Sequence, residues 1–512
     1  MSEVKLPRLI LTGASGFIGR NFVETYIEEF EIFAIARRSQ SEVDIPRHKN
    51  IHWFLADIAH QNSINKIFSE IQAGGGADYL IHLAAYFDFS NEPSPEYERT
   101  NVLGTKIIFE EAQVLGLKRF IFASSLVVSE FPKQGERLNE SSPLDASFPY
   151  AVTKISGENM AREWSKSYPC TVVRFAAVFS DWCEYGPLYK FMLTWASKSW
   201  KSKILGGQGN SAVPYIHIHC LVRMLKTILN KTQKLKPFDV LIASPDKSTS
   251  HQELYDLSTR FLYGEQRRAI HLPVPISRLG VFALDILGRI IGKRPFERPW
   301  MMKYIDERMD VDASYTRNEL NWSILHRYVA ERRVLHVVEH MKTFPVEWQR
   351  KNDLALFKSP DRPNLRIAEA LTQQEKIILT DLQDQIRDSE NTERFSSYQK
   401  MDQEKLAWYL GILFNLLKVS IRTGDRLSMS NYARFIASIR IHEGFNLEEV
   451  IDVYQSLSDI VITKLMAYIP DHKLEQRIRD DVDLPIQMAI DEIEDAYDSV
   501  TTHARYTRFD SR

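Results

Sequence analysis

Along the first half of the chain, short apolar runs alternate with longer segments whose apolar residues recur at helical spacing. Arg8 to Leu11, Glu31 to Ile35, Ile51 to Phe54, Tyr79 to Leu83, Phe120 to Ala123 and Thr171 to Arg174 are short and rich in β-branched, leucine or aromatic residues, so they predict strands. Phe17 to Phe30, Gln61 to Gln72 and Glu96 to Leu115 lie between them and predict helices. Such alternation implies right-handed crossovers and a parallel sheet covered on both faces. The expected class is α/β, a doubly wound Rossmann-type sheet with a smaller substrate-binding lobe over about 180–345, and any ligand is expected at the C-terminal ends of the strands.

The pattern changes after Phe344. The stretch FPVEWQRKNDLALFKSPDRPNL is charged and proline-bearing without a clear period, and residues 346–366 read as a linker or lobe-closing segment. From 367 to 505 glycine is scarce, Pro470 and Pro485 are the prolines, and the period is helical throughout, which predicts a separate all-α domain. Leu406 to Ile421 and Met429 to His442 are helices in it. Gly444 ends one helix, and Asn446 and Glu449 stand at the N-cap and capping-box positions of the next. That next helix sets Leu447, Val450, Tyr454, Leu457, Val461 and Leu465 on one face.

Composition adds bounds. A chain of 512 residues exceeds what one hydrophobic core supports, so at least two domains are expected. With 44% hydrophobic residues, 26% charged and a net charge of −2, it reads as an ordinary globular protein with nothing to attract nucleic acid. Its three cysteines, Cys170, Cys183 and Cys220, show no C-x-x-C spacing, so neither a disulfide framework nor a zinc site is indicated. The first strand begins almost at the N-terminus and no uncharged apolar run reaches membrane-spanning length, which makes the cytoplasm the expected compartment.

The sharpest local signal is LILTGASGFIG, an apolar strand breaking into three glycines three residues apart before a helix. At such a turn Gly13 permits the tight bend, Gly16 lets backbone N–H groups approach a pyrophosphate, and Gly19 lets helix and strand pack closely. The helix N-terminus adds partial positive charge.

These residues, with those downstream, resemble the extended short-chain dehydrogenase/reductase family, which includes the NAD-dependent epimerases and dehydratases. The likeness runs over roughly 6–345. Its T-G-x-x-G-x-x-G motif is present as Thr12, Gly13, Ser15, Gly16, Phe17, Ile18 and Gly19 with Ala14 between. The resemblance implies that Asp57 and Ile58 of FLADIAH lie at the adenine ring, that Leu83, Ala84 and Ala85 of HLAAY line the nicotinamide side, and that Asn101 of TNVLGT holds a family helix position. FASSLVVS followed by PYAVTK supplies the family's Ser125, Tyr150 and Lys154.

The chemistry of that triad stands on its own. A tyrosine has an ordinary pKa near 10, so acid–base work near neutrality calls for a nearby positive charge. Lys154 lies one helical turn after Tyr150 and can supply it. Ser125, at a strand end, would hydrogen-bond the substrate oxygen, and the resemblance implies that Lys154 also holds the nicotinamide ribose. The second strand ends in Arg37 and Arg38 where an NAD enzyme usually carries an acid, which favours NADP over NAD.

The substrate half departs from the family's nucleotide-sugar pattern. RFAAVFSD has Ala177 in place of the usual asparagine and Ser180-Asp181 in place of Gly-Pro, and His219 stands where an aspartate is common. Residues 270–322 are instead similar to the C-terminal lobe of the 3β-hydroxysteroid dehydrogenase and dihydroflavonol reductase-like branch, which implies a hydrophobic small-molecule substrate. In Ile276 to Ile291 the polar Arg278, Asp285 and Arg289 form a narrow strip beside a broad apolar face. That face can bury against the dinucleotide domain, line a substrate pocket, or rest on a membrane through 276–303 with Lys293, Arg294 and Arg298 at the headgroups. His217 and His219 alternate on an expected strand, but no third ligand sits at a recognisable spacing, so no metal is expected.

In the helical domain, Arg440 to Tyr454 reads R-x-x-E-G-F-x-L-E-E-V-I-x-x-Y and resembles the RsbRD-type N-terminal domain of bacterial stress-signalling proteins. That resemblance implies a globin-like signal-input or dimerisation module without catalytic residues, and hence a homodimer or a signalling partner. His442 and His472 do not sit mid-helix in an apolar pocket pattern, so haem is not expected. Two function classes follow: an NAD(P)-dependent reductase, dehydrogenase, epimerase or dehydratase, or a redox-cofactor sensor acting through the helical domain. Retention of Ser125, Tyr150 and Lys154 together favours the enzyme.

Overall fold

Six predicted strands and a seventh build one parallel sheet: β1 (Arg8–Thr12), β2 (Glu31–Ala36), β3 (Ile51–Leu55), β4 (Tyr79–His82), β5 (Arg119–Ser125), β6 (Cys170–Phe175) and β7 (Phe238–Ala243). Their order is β7-β6-β5-β4-β1-β2-β3, so the sheet reverses direction of growth between β1 and β4. There the crevice for a dinucleotide opens. The computed structural model describes residues 6–292, 294–356, 363–423, 426–469 and 474–509.

β1, β2, β5 and β6 are buried along nearly their whole length because both faces are covered, as a parallel sheet requires. Alternate residues feed opposite layers. Leu9, Leu11 and Ile121 pack with Phe22, Leu221 and Leu225 on one side, while Ile10, Phe120 and Phe122 pack with Ile67, Phe68 and Phe109 on the other.

The chain divides into two compact units, Met1–Pro360 and Asp361–Arg512. In the first, a substrate lobe is assembled around three short strand pairs, Ala177–Phe179 with Tyr215–His217, Ala212–Val213 with Thr249–Ser250, and Ile204–Gly206 with Ile270–Leu272. Residues 345–356, read above as linker or lobe-closing segment, form a helix. Its Trp348 is buried against Tyr189 at 4.8 Å between rings, and Asn352 donates to the Trp182 carbonyl and accepts from the Glu184 N–H. Indole burial decides this over the absence of a clean period. Residues 357–362 of that segment lie outside the described ones.

The second unit is all-helical. Pro363–Arg387, Gln403–Thr423, Leu427–Glu443, Leu447–Tyr468 and Glu475–Phe509 enclose a core that includes Leu382, Leu410, Leu413, Leu457, Val461 and Ile478. The motif noted in the sequence has a packing reason. Arg440 is buried at 2% exposure, its guanidinium lies over Tyr398, Tyr409 and Phe445 at 4.8 to 5.3 Å, and it pairs with Glu443 at 2.5 Å. Gly444 takes φ +79° as the helix C-cap, which turns Phe445 back onto the guanidinium. The expected capping box is not formed. Asn446 stands at the N-cap without a side-chain bond, and Glu449 instead accepts from the Ser396 hydroxyl at 2.6 Å and the Ser397 N–H at 3.0 Å. A buried carboxylate takes the donors that tertiary packing brings closest. His442 is exposed at its helix end, and Pro470, His472 and Lys293 lie outside the described residues.

Candidate active site

The glycine turn has the shape its spacing predicts. Gly13 sits at φ +73°, and a Cβ there would come 2.7 Å from the Ala84 nitrogen; a Cβ on Gly19 would come 2.4 Å from the Gly13 carbonyl oxygen. Only hydrogen fits at both places, so backbone stays open toward the crevice at the start of helix Phe17–Tyr26. Phe17 and Ile18 anchor that helix in the core, and Ser15 is buried beside it. This is a cradle fitted to a diphosphate, with Leu83, Ala84 and Ala85 opposite it after β4.

Buried polar groups hold the cradle in place. Thr12 Oγ1 lies 2.7 Å from His82 Nδ1, His82 Nε2 lies 3.0 Å from Thr105 Oγ1, and the Ala84 N–H donates to Thr12 Oγ1 at 3.3 Å. Burial, and then the Lys154 charge, push the His82 pKa down to about 3, so this relay is neutral. Asn101 clamps the following loop: its amide donates to the Tyr86 carbonyl at 2.8 Å and to Thr153 Oγ1 at 3.0 Å, and its oxygen accepts the Tyr86 N–H at 2.6 Å. Asn101 therefore ties the loop after β4 to helix Pro149–Trp164.

After β3, Asp57 is engaged by the protein. Its carboxylate pairs with Arg99 at 2.7 Å and accepts the Ala59 N–H at 2.9 Å, while Ile58 is buried under Gly104. Arg99 had no signal in the sequence beyond its charge. The two arginines after β2 divide their roles. Arg38 donates to the carbonyls of Ser15 and Leu354, bracing the glycine turn against the helix Pro345–Leu356, whereas one Nη of Arg37 is buried without a hydrogen-bond partner. An orphaned guanidinium nitrogen at the end of β2 fits a phosphate.

Ser125 and the Tyr150–Lys154 pair come from β5 and from helix Pro149–Trp164, which Pro149 starts at its first turn. Ser125 Oγ accepts the Val127 N–H at 3.4 Å, which leaves its proton to donate. Lys154 is buried, its Nζ donates to the Ala123 carbonyl at 2.7 Å, and it lies 5.7 Å from the centre of the Tyr150 ring. Burial pushes its pKa down to about 8, against the opposing pull of Glu158. Burial raises the Tyr150 pKa, with Tyr97 adding to the rise. Tyr150 is thus a neutral phenol near pH 7. Behind the pair, Glu158 takes a 2.5 Å bond from Ser124 and is ion-paired with buried Arg174 at 2.9 Å.

Aromatic rings crowd the substrate side. Phe87 lies 4.5 Å from Tyr150 and from Phe89, and Phe89 meets Tyr185 at 6.0 Å and Phe296 at 5.8 Å between ring centres. The residues replacing the family's Gly-Pro go elsewhere. Asp181 is held by Arg333 and by His217 at 3.3 Å, and Ser180 donates to Glu184 at 2.6 Å, around a cavity of about 250 Å³ that Arg20 and His219 also line. His217 ends its strand and caps the helix Ile218–Asn230, on which His219 lies, so the expected strand alternation is wrong; the two rings stack at 5.1 Å because both pack on Tyr328.

Residues 9–243 match the NAD dependent epimerase/dehydratase family. The chain is similar to the N-acetyl-alpha-D-glucosaminyl-diphospho-ditrans,octacis-undecaprenol 4-epimerase of Escherichia coli O157:H7, with 26% identity over 297 residues, 56% of this chain and 81% of that protein. It is 28% identical to a dTDP-glucose 4,6-dehydratase of Mycobacterium tuberculosis over 31% of this chain, and spans half the length of that relative. In fold it is similar to the dTDP-glucose 4,6-dehydratase of Bacillus anthracis solved in complex with NAD, with a TM-score of 0.51 and 19% identity over 67% of this chain and 99% of that one. Residues 9–243 of the N-terminal unit are therefore similar to the epimerase/dehydratase domains of the extended short-chain dehydrogenase/reductase type, and the relatives they match are NAD(P)-dependent epimerases, dehydratases and dehydrogenases.

Proposed function

We propose that the N-terminal unit acts as an epimerase or dehydratase at a carbinol carbon of a sugar carried on a diphosphate. The observation that carries this reading is the placement of Ser125, Tyr150 and Lys154 at strand and helix ends beside the glycine cradle. Likeness to a lipid-diphosphate sugar 4-epimerase over 81% of its length supports the substrate class. A nicotinamide dinucleotide, when bound, would supply the hydride acceptor and donor that a transient oxidation of the carbinol carbon needs. Gly13, Gly16 and Ser15 would hold its diphosphate and Lys154 its ribose. Ser125 then holds the reacting oxygen, Tyr150 Oη moves its proton, and Phe87 excludes water from the phenol.

A second reading is an NADPH-dependent reductase or dehydrogenase of a hydrophobic substrate. The buried, unpartnered Arg37 nitrogen and the rings around Tyr150 favour it. Native mass spectrometry of the freshly purified protein separates the two. Retained NAD supports internal redox recycling and the first reading; an empty site that accepts NADPH on addition supports the second. For the helical unit we propose the role its resemblance implies, pairing copies of the chain or receiving a signal. Deletion of 365–512 should then lower the oligomeric state read by light scattering, and a dimer that survives deletion places the interface elsewhere.

A further inference from the structure

The helix Val274–Ile291 packs the wrong way round for a water-soluble surface helix. Such helices bury the apolar stripe and leave the polar one in water. Here the buried stripe is Ser277, Asp285 and Gly288, while Ile276, Leu279, Phe282, Leu287, Ile290 and Ile291 are exposed, Leu279 at 71% and Ile290 at 77%. Of the three placements the sequence allowed for this face, burial against the dinucleotide domain is the one the structure overturns.

Asp285 fixes this orientation. It is 3% exposed and paired with Arg294 at 2.8 Å, Arg298 at 3.1 Å and Arg289 at 3.1 Å. Desolvation works to raise its pKa, but the hydrogen bonds from Arg294 and Arg298 outweigh it and keep the carboxyl ionised. The ion pairs tie the polar side of the helix to the chain that follows it. The apolar side is left facing out.

A second exposed element belongs to the same lobe, joined to the helix through a strand pair. Ile204–Gly206 pairs in parallel with Ile270–Leu272, the strand that leads into the helix, so the residues preceding each strand lie at one end of the pair. Before the first strand stands Trp200, 71% exposed, with the exposed Lys198, Lys201 and Lys203 about it; before the second stands exposed Arg268. Exposed Arg278 and Arg289 flank the apolar face on the helix itself. From 267 to 303 the chain carries eight Lys and Arg against two acidic residues.

We propose that helix Val274–Ile291 and the segment 198–203 form a docking surface for an anionic lipid bilayer, with the helix lying in the headgroup plane. Exposed apolar side chains, an exposed tryptophan and surrounding cations are the three groups that such a surface selects. A second copy of the chain meets this face less well, since a two-fold pairing would set its cations against the same cations. Crossing is ruled out for this helix. It has 18 residues with Arg278, Asp285 and Arg289 among them, and no helix among the described residues is long and apolar enough to span a membrane. The surface does not depend on which reaction the site performs, and its test reads no activity.

The test is co-sedimentation of the full chain with vesicles of phosphatidylethanolamine and phosphatidylglycerol, and separately of phosphatidylcholine. The protein should pellet with the anionic vesicles and be released by high salt. Leu279→Gln with Ile290→Gln should lower the bound fraction roughly tenfold, and Trp200→Ala by a smaller factor. Circular dichroism melts report that each variant remains folded, as its exposed position leads one to expect. A wild-type protein that stays in the supernatant with anionic vesicles overturns the proposal, as does a double variant that binds as well as wild type. A double variant that instead dissociates a lipid-free dimer in light scattering also overturns it, by assigning the face to a second copy.

Discussion

Lys154 donates a 2.7 Å hydrogen bond to the carbonyl of Ala123, two residues before Ser125 on the same strand. One bond thus ties helix Pro149–Trp164 to the strand that carries Ser125. It also places a buried ammonium beside the Tyr150 ring, where burial lowers its pKa to about 8.

A pH dependence follows from that value. The cation is present below about 8 and lost above it, well before an exposed lysine would titrate. We expect kcat/KM to fall as pH rises through this range, and Lys154→Met to remove that limb along with most activity. A rate independent of pH from neutrality to well above 9 would exclude Lys154 as the titrating group. Stability should run the other way. Between about 8 and 10.5 the unfolded chain binds the proton that the folded chain has lost, so stability attributable to this group increases with pH.

Tyr150→Phe removes the phenol hydroxyl and leaves the ring that packs on Phe87. Turnover should drop by about a hundredfold or more with dinucleotide affinity unchanged. Single-turnover kinetics alongside a binding titration checks both halves, and undiminished turnover would take Tyr150 out of the chemistry.

Arg37→Ala tests which dinucleotide the site prefers. Loss of a hydrogen bond to a charged group costs about 1.5–3 kcal/mol, so NADPH affinity should weaken roughly tenfold or more while NADH affinity changes little. Fluorescence titration with both cofactors reads the difference. Equal weakening for the two would mean that Arg37 contacts no 2′-phosphate.

Arg440→Ala empties the space among Tyr398, Tyr409 and Phe445. The cost should be about 2–4 kcal/mol, confined to the helical unit. Urea unfolding followed by circular dichroism should show that unit melting early while the dinucleotide unit keeps its cofactor affinity. A single unshifted transition would deny Arg440 its place in the core.

What could be read from the chain and what could not divide along a physical line. The strands of the sheet, the glycine turn and the spacing of Tyr150 and Lys154 are local: each depends on a few neighbouring residues whose sterics or helical pitch admit one arrangement. Six of seven strands and the cradle were legible for that reason. Long-range partners were not. Asp57 is taken by Arg99, 42 residues later, Glu449 by Ser396, 53 residues earlier, and Asp181 by Arg333, 152 residues on. The helix Val274–Ile291 shows the limit most directly. Its sequence alone determined that it has an apolar and a polar side, because that follows from 3.6 residues per turn. Which side packs was decided by tertiary structure, where Arg294 and Arg298 fold back on Asp285 and hold the polar side inward.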